Sequence, residues 1–338
     1  MAFDVSGLSS YVQEKRELVL KDFVLGAPTI ERMTIQPGIK KSANLNFLNV
    51  DPTWQDGSSC GWNAEGDAAF TKRVIETGAV KINMAFCDKD LLGYWAEYVV
   101  RFGANNEEFP FEEYILKAIT DAQKLKMEKA IWQSDTANSD FFDGLLAIIT
   151  ADANVINESI TAGTSAYDAI YQVYNAIPEE ILGKPDLAIN VSPKIFRAFC
   201  KELTDMNMYH YTAGEKLNEI VLPGTTCTVK CVQGLADPNG VNDLYIVATY
   251  DRNLVYGCDM VSDAEELKAW YSVDNDEFRI KAVWNSGTQV AFPDLVVLGT
   301  MAAAPNPSTR ALDSLKAIAE NTAELADVNH VFKTAEQP

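Results

Sequence analysis

Phe278, Ile280, Ala282 and Trp284 alternate with the charged residues Glu277, Arg279 and Lys281. A period of two marks a strand with one buried face, and the rest of the chain must cover that face. Asn285, Ser286 and Gly287 then read as a reversal. A second strand is expected through Val290 and Phe292 to Pro293, with the apolar run Leu295–Leu298 behind it. No phosphate loop, metal-ligand spacing or acid/base pair accompanies these strands. The segment reads as scaffold.

At 338 residues the chain has room for two domains, or for one elaborate domain with long excursions. Its 47% hydrophobic and 10% aromatic content supports a sizeable core. Twenty-eight basic residues stand against 48 acidic ones, a formal charge of −20. That balance opposes tight nucleic-acid binding, which needs Lys and Arg to neutralise phosphates. It also keeps the protein from adhering to a polyanion held close by.

Six cysteines, Cys60, Cys87, Cys200, Cys227, Cys231 and Cys258, are scattered along the chain, and no signal-peptide pattern follows Met1. A reduced, cytoplasmic origin is expected, with the thiols acting as small buried apolar groups. The longest apolar run, Leu295–Pro305, falls far short of the ~20 residues that span a bilayer, so a soluble chain is expected.

Residues 109–134 give the strongest helix pattern. Glu112 and Glu113 suit its start, and Lys124, Lys126 and Lys129 gather toward its end. Ile115, Ile119, Ala122, Leu125, Ala130 and Ile131 are expected to form its apolar stripe. About 24 helical residues would make a spine of roughly 36 Å.

Before the spine, residues 1–38 read as an arm, with a short helix through Tyr11–Leu20 capped by Ser9 or Ser10. Residues 42–50 read as a strand and 68–86 as its returning partner, an extended hairpin. Its tip, 51–67, has three glycines together with Trp54 and Trp62. Those tryptophans could form a local aromatic minicore or dock on another subunit.

After the spine, Thr164 or Ser165 should cap a helix through Ala166–Ile177. Leu187–Val191 reads as a buried strand, and Ser192-Pro193 opens a helix over Lys194–Leu203. A loop at 205–221 carries Met206, Met208, Tyr209 and Tyr211, and strands are expected at 226–233 and 243–249.

Cys227 and Cys231 share one strand face, but a structural zinc needs two more suitably spaced ligands. Cys200 with His210 could be imagined as nucleophile and base, yet Cys200 follows Phe199 on an apolar helix side and His210 has no orienting acid. Glu179/Glu180 and Glu265/Glu266 read as solvated faces or first-turn helix residues. No catalytic, cofactor or metal residue is assigned. Beyond Pro305 and Pro307, Ala311, Leu315, Ile318, Thr322 and Leu325 recur at heptad-like spacing, a seam for the same subunit or a neighbour.

The order is arm, tryptophan-tipped hairpin, spine helix, inserted α/β unit and closing strands. With the stretches INVSPKIFRAFCKEL (189–203), IVLPGTTCTVKCVQGL (220–235), DLYIVATYDRNLVYGCDM (243–260) and RIKAVWNSGTQVAFPDLVVL (279–298), it resembles the major capsid proteins of tailed bacteriophages. The resemblance runs over about residues 10–303. It implies the α+β Hong Kong 97-type fold: an arm (1–38), an extended hairpin or E-loop (39–86), and a peripheral domain with the spine helix (87–150). An axial domain (151–273), closing peripheral strands (274–303) and a C-terminal helix and tail (304–338) complete it.

The same resemblance implies a shell subunit that forms pentamers and hexamers and encloses double-stranded DNA without reading its sequence. Scaffolding, portal and decoration proteins would be its other partners, the virion its location and the host cytoplasm its place of synthesis. No membrane and no cofactor are implied. Trp54, Trp62, Phe70 and Lys72 on the hairpin would lie at subunit interfaces. So would Met206, Met208, Tyr209 and Tyr211 toward the capsomer axis, and Leu315 and Ile318 in the tail. Some members cross-link a hairpin lysine to a distant asparagine; Lys72 is so placed, but no partner asparagine is identifiable. Some also fuse a scaffolding segment ahead of the arm; here scaffolding is expected as a separate or already removed protein. A cellular nanocompartment shell and a cytosolic thiol or zinc hydrolase are the alternatives.

Overall fold

The structure, a computed structural model, describes residues 15–55, 58, 66–87, 111–138, 140–208, 218–237, 242–259 and 267–301. In chain order it runs α1 (Arg16–Leu25), β1 (Thr34–Pro37), β2 (Ser42–Pro52), β3 (Gly66–Glu76), β4 (Gly78–Cys87), α2 (Phe111–Gln133) and α3 (Leu145–Ala151). There follow β5 (Ile156–Ile160), α4 (Ala166–Asn175), β6 (Leu187–Val191), α5 (Pro193–Asp205), β7 (Glu219–Val221), β8 (Thr228–Cys231) and β9 (Tyr245–Tyr250). The last four strands are β10 (Leu254–Cys258), β11 (Lys268–Ser272), β12 (Glu277–Val290) and β13 (Val297–Met301).

β12 organises the first sheet. β4 pairs antiparallel along one edge, from Glu277↔Cys87 to Ser286↔Gly78. The other edge is shared by β11, opposite residues 277–281, and β10, opposite 286–290. β1 adds parallel to β10, giving five strands.

The expected reversal at Asn285–Gly287 is corrected: β12 runs straight through it for 14 residues. Its inward alternation continues unbroken through Ser286, Thr288 and Val290. The inward Ser286 hydroxyl meets the buried Tyr256 hydroxyl at 2.8 Å. Gly287 is required by a close crossing, because an added Cβ would stand 2.1 Å from the Glu76 carbonyl oxygen. The turn-like residues serve packing.

The inward face of β12 is covered by α1 and α2. Phe23, Ile131 and Trp132 share one apolar cluster with Phe278, Ile280, Ala282 and Trp284. The Phe23 and Trp284 ring centroids lie 6.3 Å apart. The described helix covers Arg16–Leu25 where Tyr11–Leu20 was expected, residues 11–14 lying outside the described residues, and its Lys15 N-cap makes no side-chain cap bond. Val19, Phe23 and Val24 provide its buried side.

The spine stripe is also corrected. Leu116, Ile119, Thr120, Gln123, Met127 and Ile131 face inward, while Leu125 is 62% exposed. Three buried polar residues, Thr120, Gln123 and Glu128, disguise the inward face as a polar one. The Thr120 hydroxyl donates to the Leu116 carbonyl at 2.8 Å, and Glu128 is held by Thr29.

The second sheet has six strands in the order β5-β13-β9-β6-β8-β7. Its centre, β6, is buried along its whole length, as expected for Leu187–Val191. On one face, Ile170 and Val173 of α4 and Phe199 and Leu203 of α5 join Ile189, Val191, Ile246 and Ala248. On the other, Val247 and Leu298 belong to the cluster around α2. Both serine caps occur: Ser165 accepts from the Asp168 N–H at 3.0 Å and Ser192 from the Ile195 N–H at 3.3 Å. β10 and β11, drawn within 151–273, lie in the five-stranded sheet, and β13, drawn with the closing strands, lies in the six-stranded one.

Candidate assembly surface

β2 and β3 form a two-stranded antiparallel ribbon, in register from Ser42↔Glu76 to Pro52↔Gly66. Residues 68–86, expected as one returning strand, are two. At Thr77 the chain leaves the ribbon, its N–H bonding the Lys41 carbonyl at 2.8 Å, and β4 pairs with β12 instead.

Among the described residues, the ribbon is anchored at its root. Ile39, Leu45 and Ile75 join Val255 and Ala291 in a small cluster, with the Phe47 and Phe292 rings 4.9 Å apart. Arg73 reaches Asp152 at 2.8 Å and the Gln289 amide oxygen at 3.2 Å, and Gln289 donates to the Val74 carbonyl at 2.7 Å. Burial raises the Asp152 carboxyl, but the Asn154 N–H and the Arg73 guanidinium outweigh it, leaving its pKa below the usual range. Among the described residues, the two strands pair with each other alone beyond this root.

At the far end Trp54 is 95% exposed. For this residue the minicore expectation is overturned. Lys72 is exposed, with Asn46 as its register partner. Position 70 pairs with position 48, and the Phe70 side chain, like all of Trp62, lies outside the described residues. Met206 and Met208 are exposed just past α5, on the six-stranded unit. Tyr209, Tyr211, Leu315 and Ile318 lie outside the described residues.

Sequence reasoning missed a cleft of about 470 Å³ between β4, α2 and residues 140–142. Val80, Ile82 and Met84 form one wall, and Ile119, Gln123 and Met127 the other. Phe141 stands at its edge, 61% exposed. The paired phenylalanines at 141–142 were its signal in the sequence, since adjacent aromatics between polar residues rarely serve a solvated loop.

Among the described residues, the thiols whose acidity shifts are held in their protonated form. Burial raises all four that shift: Cys200 and Cys231 upward, Cys227 to about 12 and Cys258 to about 11. A nucleophilic cysteine needs the opposite shift. Among the described residues no group of three or more His, Cys, Asp or Glu could hold a metal, and no helix is long and apolar enough to cross a membrane. His210 lies outside them.

No protein-family model and no curated protein matches this sequence. Solved structures do match in fold. The satellite phage P4 procapsid that includes the size determination protein Sid aligns with a TM-score of 0.57 at 13% identity, over 89% of this chain and 92% of that one. Gordonia phage Cozz aligns at 0.53 and 11% identity, over 81% and 86%. The capsid of an empty GTA particle aligns at 0.51 and 12% identity, over 82% and 90%. With its ribbon, spine helix and two sheets, the chain has the α+β Hong Kong 97-type fold of phage capsid proteins.

Proposed function

We propose that this protein is the repeating subunit of a tailed-phage head, a structural protein without enzymatic activity. Copies associate into pentamers and hexamers, which close into an icosahedral or prolate shell around double-stranded DNA. The observation that carries the reading is the ribbon, which is rooted firmly in its own subunit and ends in an indole that its own subunit leaves 95% exposed. An isolated two-stranded ribbon is marginal in water, so one that projects an aromatic side chain needs a surface elsewhere. The fold supports the same reading, since two of its structural neighbours are a procapsid and a capsid.

In this reading the five-stranded sheet with α2 is the peripheral domain, and the six-stranded sheet with α4 and α5 is the axial one. Met206 and Met208, beside the 209–217 segment, face the capsomer axis. Scaffolding, portal and decoration proteins are the expected partners. The formal charge of −20 suits a wall that does not cling to enclosed DNA. The subunit is made in the host cytoplasm and ends in the virion.

Electron microscopy and light scattering of concentrated purified protein test this directly. Closed shells are expected. A protein that stays monomeric under all assembly conditions, with or without a co-expressed scaffold, would count decisively against it.

A further inference from the structure

We infer that the solvent face of α2 is the docking surface for residues 308–326 of the same chain, a segment that lies outside the described residues. On α2 the exposed positions Ala118, Ala122, Leu125 and Lys129 follow one another at spacings 4-3-4. Leu125 is 62% exposed there, and the two alanines let another helix approach closely. In the sequence of the segment, Ala311, Leu315, Ile318, Thr322 and Leu325 recur at spacings 4-3-4-3. Two stripes of one period interlock as knobs and holes.

Charge selects the occupant. Lys117, Lys126 and Lys129 are exposed on α2 and have no ion-pair partner among the described residues. Lys124 is already paired with Asp22 at 3.1 Å. Asp121 is the one exposed acid among the described side chains of this helix. The face is thus basic in a chain of net charge −20. From 311 to 327 the segment carries Asp313, Glu320, Glu324 and Asp327 against Lys316 alone. Opposite charges placed beside a shared apolar seam fix both partner and orientation.

The chain is long enough to reach. Val296 and Leu298, around the start of β13, pack in one cluster with Ile119, Met127 and Ile131 of α2. β13 ends at Met301, about 10 Å beyond Leu298. The stretch 302–310 spans up to ~30 Å, enough to bring the segment onto α2, a helix of 23 residues and about 35 Å. A short tether holds its two ends at an effective concentration on the order of millimolar, so the segment outcompetes a separate copy in dilute protein. The docking belongs to the single subunit and holds whether or not shells form.

Limited trypsin digestion of the dilute subunit reads the docking, because Arg310 and Lys316 lie early in the segment. Leu125→Asp puts a charge into the seam at an exposed position, so circular dichroism is expected to show a wild-type fold. Cleavage after Arg310 and Lys316 is expected to quicken by at least roughly tenfold. Leu315→Asp, in the segment itself, is expected to do the same. Val221→Asp, similarly exposed but on β7, is expected to leave cleavage at the wild-type rate. Equal cleavage in wild type and the seam variants, or an equal rise in Val221→Asp, overturns the inference. Protection that vanishes on dilution also overturns it, since the occupant is then a second copy. Should Leu125→Asp fail to fold, Leu315→Asp carries the test with the same outcomes. Failure to form shells is a separate result, and it bears on the shell reading alone.

Discussion

Glu128 receives both the backbone N–H and the hydroxyl of Thr29, at 2.9 Å and 2.5 Å, tying the segment after α1 to the C-terminal part of the spine helix. Trp132, one turn along, donates its indole N–H to the same hydroxyl at 3.0 Å. All three residues are buried. Thr29 thus has every polar atom of its side chain engaged, and the amino-terminal segment is fastened to the core.

This latch has a pH signature. Burial raises the Glu128 pKa by more than the Thr29 bonds and Arg32 lower it. An unfolded glutamate titrates near ~4.3, so between that value and the folded one the native state binds more protons. Stability therefore falls as pH rises through that window and stays reduced above it. Glu128→Gln removes the titration. Denaturant unfolding from about pH 4 to about pH 7 should show a shallower fall than wild type, and parallel profiles would refute the assignment.

The crossing of β12 over β3 gives a second expectation. A Cβ at Gly287 meets the backbone oxygen of Glu76, which cannot swing aside as a side chain can. Gly287→Ala should destabilise the subunit by ~1–3 kcal/mol, while Asn285→Ala, one strand position from Ser286, should cost clearly less. Thermal unfolding of the two variants distinguishes a packing glycine from a turn. Comparable losses at 285 and 287 would restore the turn.

The contrast between 285–287 and 187–205 explains what could be read from sequence. Leu187–Val191 and the Ser192 cap are local signals: their apolar run, hydroxyl and following proline act within a few residues of each other. Asn285-Ser286-Gly287 carries two meanings, and only the distant Tyr256 and Glu76 select between them. The spine helix was legible in its length, yet its face was not, because Gln123 and Glu128 are polar residues pointing inward. Trp54 stood out as an aromatic side chain in a glycine-rich tip. The cleft did not, since its walls come from residues 80–84, 119–134 and 140–142, brought together only by the fold.

Trp54 is the sharper case, because it contributes almost nothing to its own subunit. At 95% exposure its removal takes away no buried area, so Trp54→Ala should leave subunit stability within ~0.5 kcal/mol of wild type. Surface aromatics that anchor an interface typically cost 2 kcal/mol or more on truncation, which corresponds to ~30-fold in affinity per contact. A shell repeats that contact in every subunit, so even a modest loss at each one should move the assembly threshold to far higher protein concentration. Light scattering across a concentration series reads the threshold, and circular dichroism of the dilute subunit reads the fold. An unchanged threshold would place the indole outside the interface. A collapsed subunit would make the tip part of a core that the ribbon geometry gives it no means to reach.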